Sequence, residues 1–115
     1  MIEIKPSTAE DVALFFGRTL PRTIQAVSVW RDGQLDAIAG VAIEEGKIEA
    51  FSDIRKGISV PKITVYRVAK EIMKMIRTRK TQVFAIADPN IPTSERFLES
   101  LGFTLLLQDG KVYTL

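Results

Sequence analysis

Glu49 and Asp53 stand four residues apart in Lys47-Ile48-Glu49-Ala50-Phe51-Ser52-Asp53-Ile54, and Arg55-Lys56-Gly57-Ile58-Ser59 follows directly. The stretch 47–54 reads as a strand. Alternation then puts Glu49 and Asp53 on one side, opposite Ile48, Ala50, Ser52 and Ile54. Two carboxylates on one side are candidate proton acceptors, although a general base must also reach its proton, which spacing alone does not decide. Their plainer reading is a pair of solvated strand carboxylates. The loop at 55–59 is rich in positive charge and backbone N–H groups, and Pro61 opens a long amphipathic stretch. Such a loop at a helix N-terminus suits a phosphate, because orphan donors and the helix dipole both point at it. Its plainer reading is a basic turn that happens to precede a helix, since exposed charges cost little to keep.

The 115 residues contain no cysteine and no histidine. That excludes disulfides, thiolate nucleophiles, imidazole bases and Cys/His metal sites. Any catalysis must use carboxylates, hydroxyls, amines, backbone groups or water. A carboxylate-only Mg²⁺ or Ca²⁺ site stays open, but no EF-hand or Walker pattern is present and no metal ligand is assigned. The net charge of +2 hides an asymmetry. Residues 55–80 hold nine basic residues against Glu71 alone, whereas the remainder holds 7 basic and 13 acidic residues. A basic segment on such a background attracts an anionic ligand, a nucleic acid or an acidic protein. Arg77-Thr78-Arg79-Lys80 lacks interleaved aromatics or a nucleic-acid signature. It reads as a helix C-terminus stabilised by its dipole, so nucleic acid is not the expected partner.

The length fits one domain, 1–115, with a real core. No apolar run approaches the ~20 residues of a membrane span. The N-terminal residues read as a strand rather than a signal peptide, so a cytoplasmic location is expected. Ile2 to Lys5 alternates as a strand, and Ser7 with Glu10 forms a capping-box pattern for a helix over 8–16 that stops at Gly17. Strands follow at 23–30, 35–43 and 47–54, joined by turns at Asp32-Gly33 and Glu45-Gly46. A helix over 61–78 buries Val65, Val68, Ala69, Ile72 and Ile76. Gln82 to Ala87 is nearly continuous in apolar residues, as a strand covered on both faces would be. A short helix over 93–100 ends at Gly102, and a hairpin around Asp109-Gly110 closes the chain. The order β-α-β-β-β-α-β-α-β-β predicts an α/β (α+β) fold with a mixed, mostly antiparallel sheet and helices on both faces. Strands 47–54 and 82–87 should be parallel neighbours joined by a right-handed crossover.

This element order, together with Asn90-Ile91-Pro92-Thr93-Ser94-Glu95-Arg96-Phe97-Leu98-Glu99-Ser100-Leu101-Gly102-Phe103, resembles the GNAT superfamily of acyl-CoA N-acyltransferases. The family's pattern there is an Asn, a short helix with a small residue and an aromatic, then Leu-Gly-Phe. The resemblance implies that strands 47–54 and 82–87 splay apart to admit the pantetheine arm of acetyl-CoA. That arm would lie beside Phe51, Ser52 and Asp53, with the pyrophosphate on Arg55, Lys56, Gly57, Ile58 and Ser59. Asn90, Ser94 and Phe97 would also border the cofactor, with capping of the short helix the plainer role for Ser94. Glu49 or Asp53, directly or through water, would deprotonate an attacking amine acceptor.

Three departures from the family pattern point another way. The phosphate loop runs Arg or Gln, two residues, Gly, one residue, then Gly or Ala. Read from Arg55, this chain has its glycine third, at Gly57, and β-branched Val60 sixth, where the backbone should approach a phosphate. Leu98 occupies the place of the tyrosine that often protonates the leaving thiolate. Tyr66 and Tyr113, the only phenols, read as packing residues. The segment before the second strand is too short for the usual second helix. The chain also resembles short GNAT-like proteins of tailed bacteriophages. That resemblance implies the alternative of a non-enzymatic accessory or virion protein whose partner is a phage or host protein.

Overall fold

The computed structural model describes residues 1–18, 23–44, 46–78, 82–87 and 94–115, without the side chain of Ser94. Expectations that fall on Glu45, Arg79, Lys80, Asn90 and Thr93 lie outside these residues. The elements are β1 (Ile2–Pro6), α1 (Ala9–Phe16), β2 (Thr23–Arg31), β3 (Gln34–Glu44), β4 (Lys47–Ile54), α2 (Lys62–Arg77), β5 (Val83–Ile86), α3 (Ser94–Ser100), β6 (Thr104–Leu107) and β7 (Val112–Thr114). They form a seven-stranded sheet in the order β1-β2-β3-β4-β5-β7-β6. β4 and β5 are the parallel pair, and the other neighbours are antiparallel. The expected element order and the parallel pairing of β4 with β5 are therefore present.

Helices cover both faces of the sheet. On one face, Val12, Phe15 and Phe16 of α1 pack onto Ala26, Ile38 and Phe51. On the other, Ile72 and Ile76 of α2 pack onto Ala39, Val41, Ile48 and Val83, joined by Phe103 and Tyr113. Ile38 and Ala39 are adjacent in β3, so strand alternation sends them to opposite helices. Full burial of a side chain such as Ile38 stabilises the fold by about 1.5–3 kcal/mol. The small residues of β3 have a steric reason. A Cβ on Gly40 would overlap the Gln25 carbonyl oxygen and the Cα and Cβ of Ala26, all from the neighbouring strand. Among the described residues, no helix is long and apolar enough to cross a membrane.

Two local expectations are corrected. The capping box is formed by Thr8 and Asp11, not Ser7 and Glu10: Asp11 N donates to Thr8 Oγ1 at 3.1 Å and Thr8 N donates to Asp11 Oδ2 at 3.0 Å. Ser7 is still engaged with the sheet. Its N–H donates to the Ala26 carbonyl and its hydroxyl lies 2.5 Å from that of buried Ser28. Second, β5 is not covered on both faces. Val83 and Ala85 are buried, but Phe84 is only half-buried and Ile86 is 58% exposed. α2 and α3 cover the Val83 face, while α1 sits over β2 and β3 and stops short of β5.

Candidate active site

β4 has two unlike ends. Its parallel pairing with β5 joins Ile48 to Val83, Glu49 to Phe84 and Ala50 to Ala85, and stops there. Its pairing with β3 continues to Asp53 and Ile54. From Phe51 to Ile54 the β5-facing edge of β4 therefore lacks a strand partner among the described residues. Unpaired main-chain donors and acceptors must be met by water or a ligand. The pairing thus ends in the stretch where the two strands are expected to splay.

The loop beyond this edge is shaped by a turn. Ile58 N donates to the Arg55 carbonyl at 3.1 Å, and Gly57 sits at the third turn position with φ 82°. That positive φ is what a type II turn demands there, and glycine meets it without strain. Ile58 and Val60 are half-buried, while Lys56, Gly57 and Ser59 are exposed. Pro61 occupies the cap of α2, supplies no side-chain hydrogen bond, and no acidic residue stands in the first turn. The positive end of the α2 dipole is thus left uncompensated by its own side chains, next to Lys56 and Lys62.

Arg55 turns away from this loop. Its Nε donates to the Leu35 carbonyl at 2.6 Å, its guanidinium lies 5.3 Å over the Phe15 ring, and its N–H donates to the Asp36 carbonyl at 2.8 Å. The side chain ties α1 and β3 to the end of β4. The exposed cationic group of the loop is Lys56.

Glu49 and Asp53 share a face of β4 with Phe51, which packs under α1. Glu49 is half-buried and Asp53 is exposed. Glu49 therefore stands in the part of β4 paired with β5, opposite Phe84, and Asp53 beyond that pairing, both on the face that Phe84 and Ile86 share. Ser52 is exposed on the opposite face. Phe97 is half-buried on α3, and Ser94 opens that helix.

The Leu-Gly-Phe motif has a structural role. Gly102 N donates to the Glu99 carbonyl and Phe103 N to the Leu98 carbonyl, both at 3.0 Å, with Gly102 at φ 98°. This is a Schellman cap, and its outer residue, Phe103, is buried in the core that Leu98 borders. Leu98 thus serves packing. Of the two phenols, one lies on a helix and the other two strands from β4 in the sheet. Tyr66 is exposed on α2. Tyr113 is buried on β7, with its hydroxyl donating to Glu95 at 2.9 Å and 3.4 Å from Glu99. Burial, and next the hydrogen bond to Glu95, push its phenol up to about 12.

Asp36 escaped the sequence reading. Val29 pairs with Ala37 and Trp30 with Leu35, so Asp36 is the extra residue of a β-bulge in β3. It is 3% exposed. Its Oδ2 meets Arg31 Nε at 3.1 Å, and its Oδ1 is buried without a hydrogen-bond partner among the described residues. An acidic residue inside a small-residue strand was the one available signal, but bulges follow from register and leave no local composition.

The chain has the GNAT fold: a mixed, mostly antiparallel seven-stranded sheet with one parallel pair connected through α2, and helices on both faces. Among solved structures, the chain resembles the ribosomal-protein-S18-alanine N-acetyltransferase from Escherichia coli. That match covers 100% of this chain and 93% of the other, with TM-score 0.66 at 13% identity. It also resembles an acyl-CoA N-acyltransferase from Pseudomonas aeruginosa, covering 99% and 96% of the two chains, with TM-score 0.62 at 12% identity. By sequence, no family model and no curated protein matches. At these identities the likeness is one of fold.

Proposed function

We propose that this protein binds acyl-CoA at the splay and transfers the acyl group, acetyl in the simplest case, to an amine. The observation that carries the reading is the ending of β4–β5 pairing at Ala50 and Ala85 while β4 runs on to Ile54. The pantetheine amides would pair with the free β4 edge at Phe51 to Asp53. The pyrophosphate would lie against the loop at Lys56 to Ser59 and the uncapped α2 N-terminus. A neutral amine attacks the thioester carbonyl, whose developing negative charge is met by backbone donors of β4. The C–N bond forms, the C–S bond breaks and CoA leaves as thiolate. The proton lost by the amine passes to Glu49 or Asp53, directly or through water, and water protonates the thiolate.

Calorimetric titration with acetyl-CoA tests the binding step. Saturable heat is expected, and Lys56→Glu should weaken it by about 1 kcal/mol or more through loss of a charge-assisted contact. For chemistry, the Glu49→Gln, Asp53→Asn double variant should lower turnover by roughly 10²–10⁴-fold with acetyl-CoA affinity nearly unchanged. Raising the pH should partly restore it, because more acceptor amine is then neutral.

A second reading, a scaffold that keeps this fold for contacts with a phage or host protein, is favoured by the inward commitment of Arg55 and by Leu98 in the core. Absence of any acetyl-CoA heat would select it.

A further inference from the structure

A groove of about 510 Å³ lies between β1 and α2. It uses neither the splay nor the loop before α2. Its floor is aliphatic, from Ile4, Pro6 and Val27, and its wall carries Arg67, Lys70 and Lys74. Positions 67, 70, 71 and 74 follow helical spacing, so they form one stripe beside the buried stripe of Ala69, Ile72 and Ile76.

The charge in this groove is not balanced from within. Glu71 is the single acidic lining residue, and it is engaged by Lys74 at 3.2 Å. Lys5, also in the lining, directs its ammonium elsewhere, 5.3 Å over the Trp30 ring and 3.7 Å from Glu3. Arg67 and Lys70 are exposed and have no ion-pair partner among the described residues. A cationic wall over an aliphatic floor calls for a ligand carrying both carboxylates and aliphatic groups. A lone inorganic anion would leave the floor uncovered. A nucleic acid would find no aromatic ring in the lining on which to stack a base. An extended polypeptide fits both demands, because its alternate side chains point in opposite directions. The groove also borders β1, an edge strand of the sheet, where extended segments dock readily.

We propose that the β1–α2 groove binds an extended acidic segment of a partner protein. Its aliphatic side chains would rest on Ile4, Pro6 and Val27, and its carboxylates would pair with Arg67 and Lys70. The test is fluorescence anisotropy on the intact chain with three labelled probes: an alternating Glu-Leu peptide, the same peptide with Gln for Glu, and a single-stranded oligonucleotide of equal charge. The Glu-Leu peptide should bind saturably. The Gln version and the Arg67→Glu, Lys70→Glu variant should each weaken binding by about tenfold or more. Both substitutions are on exposed side chains, and an unchanged circular dichroism spectrum and unchanged acetyl-CoA heat would show that fold and splay are intact. Three results would each overturn the proposal: no saturable peptide binding, equal binding of the Gln peptide or by the reversed variant, or oligonucleotide binding as tight as that of the Glu-Leu peptide.

Discussion

Between Ile48 and Ala50, β4 is bonded to β3 on one side and β5 on the other, and Ile48 is 4% exposed. Between Phe51 and Ile54 the same strand is bonded, among the described residues, to β3 alone, and Ile54 is 41% exposed. The two halves hardly differ in composition. What separates them is where β5 ends its pairing. The closed half is bonded on both edges, and the open half leaves its β5-facing main-chain groups without a strand partner among the described residues. One strand can do both because main-chain hydrogen bonding is set by neighbours and not by its own side chains.

The most severe way to break the distinction is at Gly40, which pairs with Phe51 where the two halves meet. Gly40→Ala should destabilise by about 3–5 kcal/mol or prevent folding, because the added methyl overlaps backbone that cannot yield. Denaturant titration would measure it, and near-wild-type stability would show that β2 and β3 can separate. The next largest contrast sets the halves against each other. Ile48→Ala should cost about 3 kcal/mol through loss of buried surface and the cavity left behind. Ile54→Ala should change stability by about 0.5 kcal/mol or less. Equal costs would mean that the open half is covered in solution.

A smaller contrast separates the two cations after β4. Arg55→Ala should cost about 2 kcal/mol of stability, from its charged hydrogen bond to Leu35 and its stacking on Phe15. Lys56→Ala should leave stability within about 0.5 kcal/mol. If the costs reverse, Arg55 is free to serve a phosphate. The smallest effect concerns Tyr113, away from both halves of β4. Its folded value of about 12 lies above the ordinary 10, so its contribution is full below about pH 10 and fades as pH rises through about 12. Tyr113→Phe should remove a phenolate absorbance step near pH 12 and flatten the fall in stability over that window. A step near pH 10 lost on the same substitution would contradict the buried placement.

Element order, the parallel β4–β5 pair and the meander are legible in the residues alone. These follow from period, caps and turn residues, all of which are local. Gly17 and Gly102 end their helices at positive φ as their positions predict. The amphipathic stripe of α2 buries Ala69, Ile72 and Ile76 as its spacing requires. Local reading also placed Glu49 and Asp53 on one face of β4. It missed the shift of the capping box to Thr8, because Ser7 is held by Ala26 and Ser28, which are distant in sequence. The apolar run of β5 implies double burial only where a helix lies over both faces, and how far α1 extends over the sheet is not local information. The inward turn of Arg55 and the bulge at Asp36 were likewise decided in three dimensions. The first depends on Leu35, 20 residues away in sequence, and the second on register between β2 and β3. Local propensity carries no term for such pairings, so tertiary packing decided them.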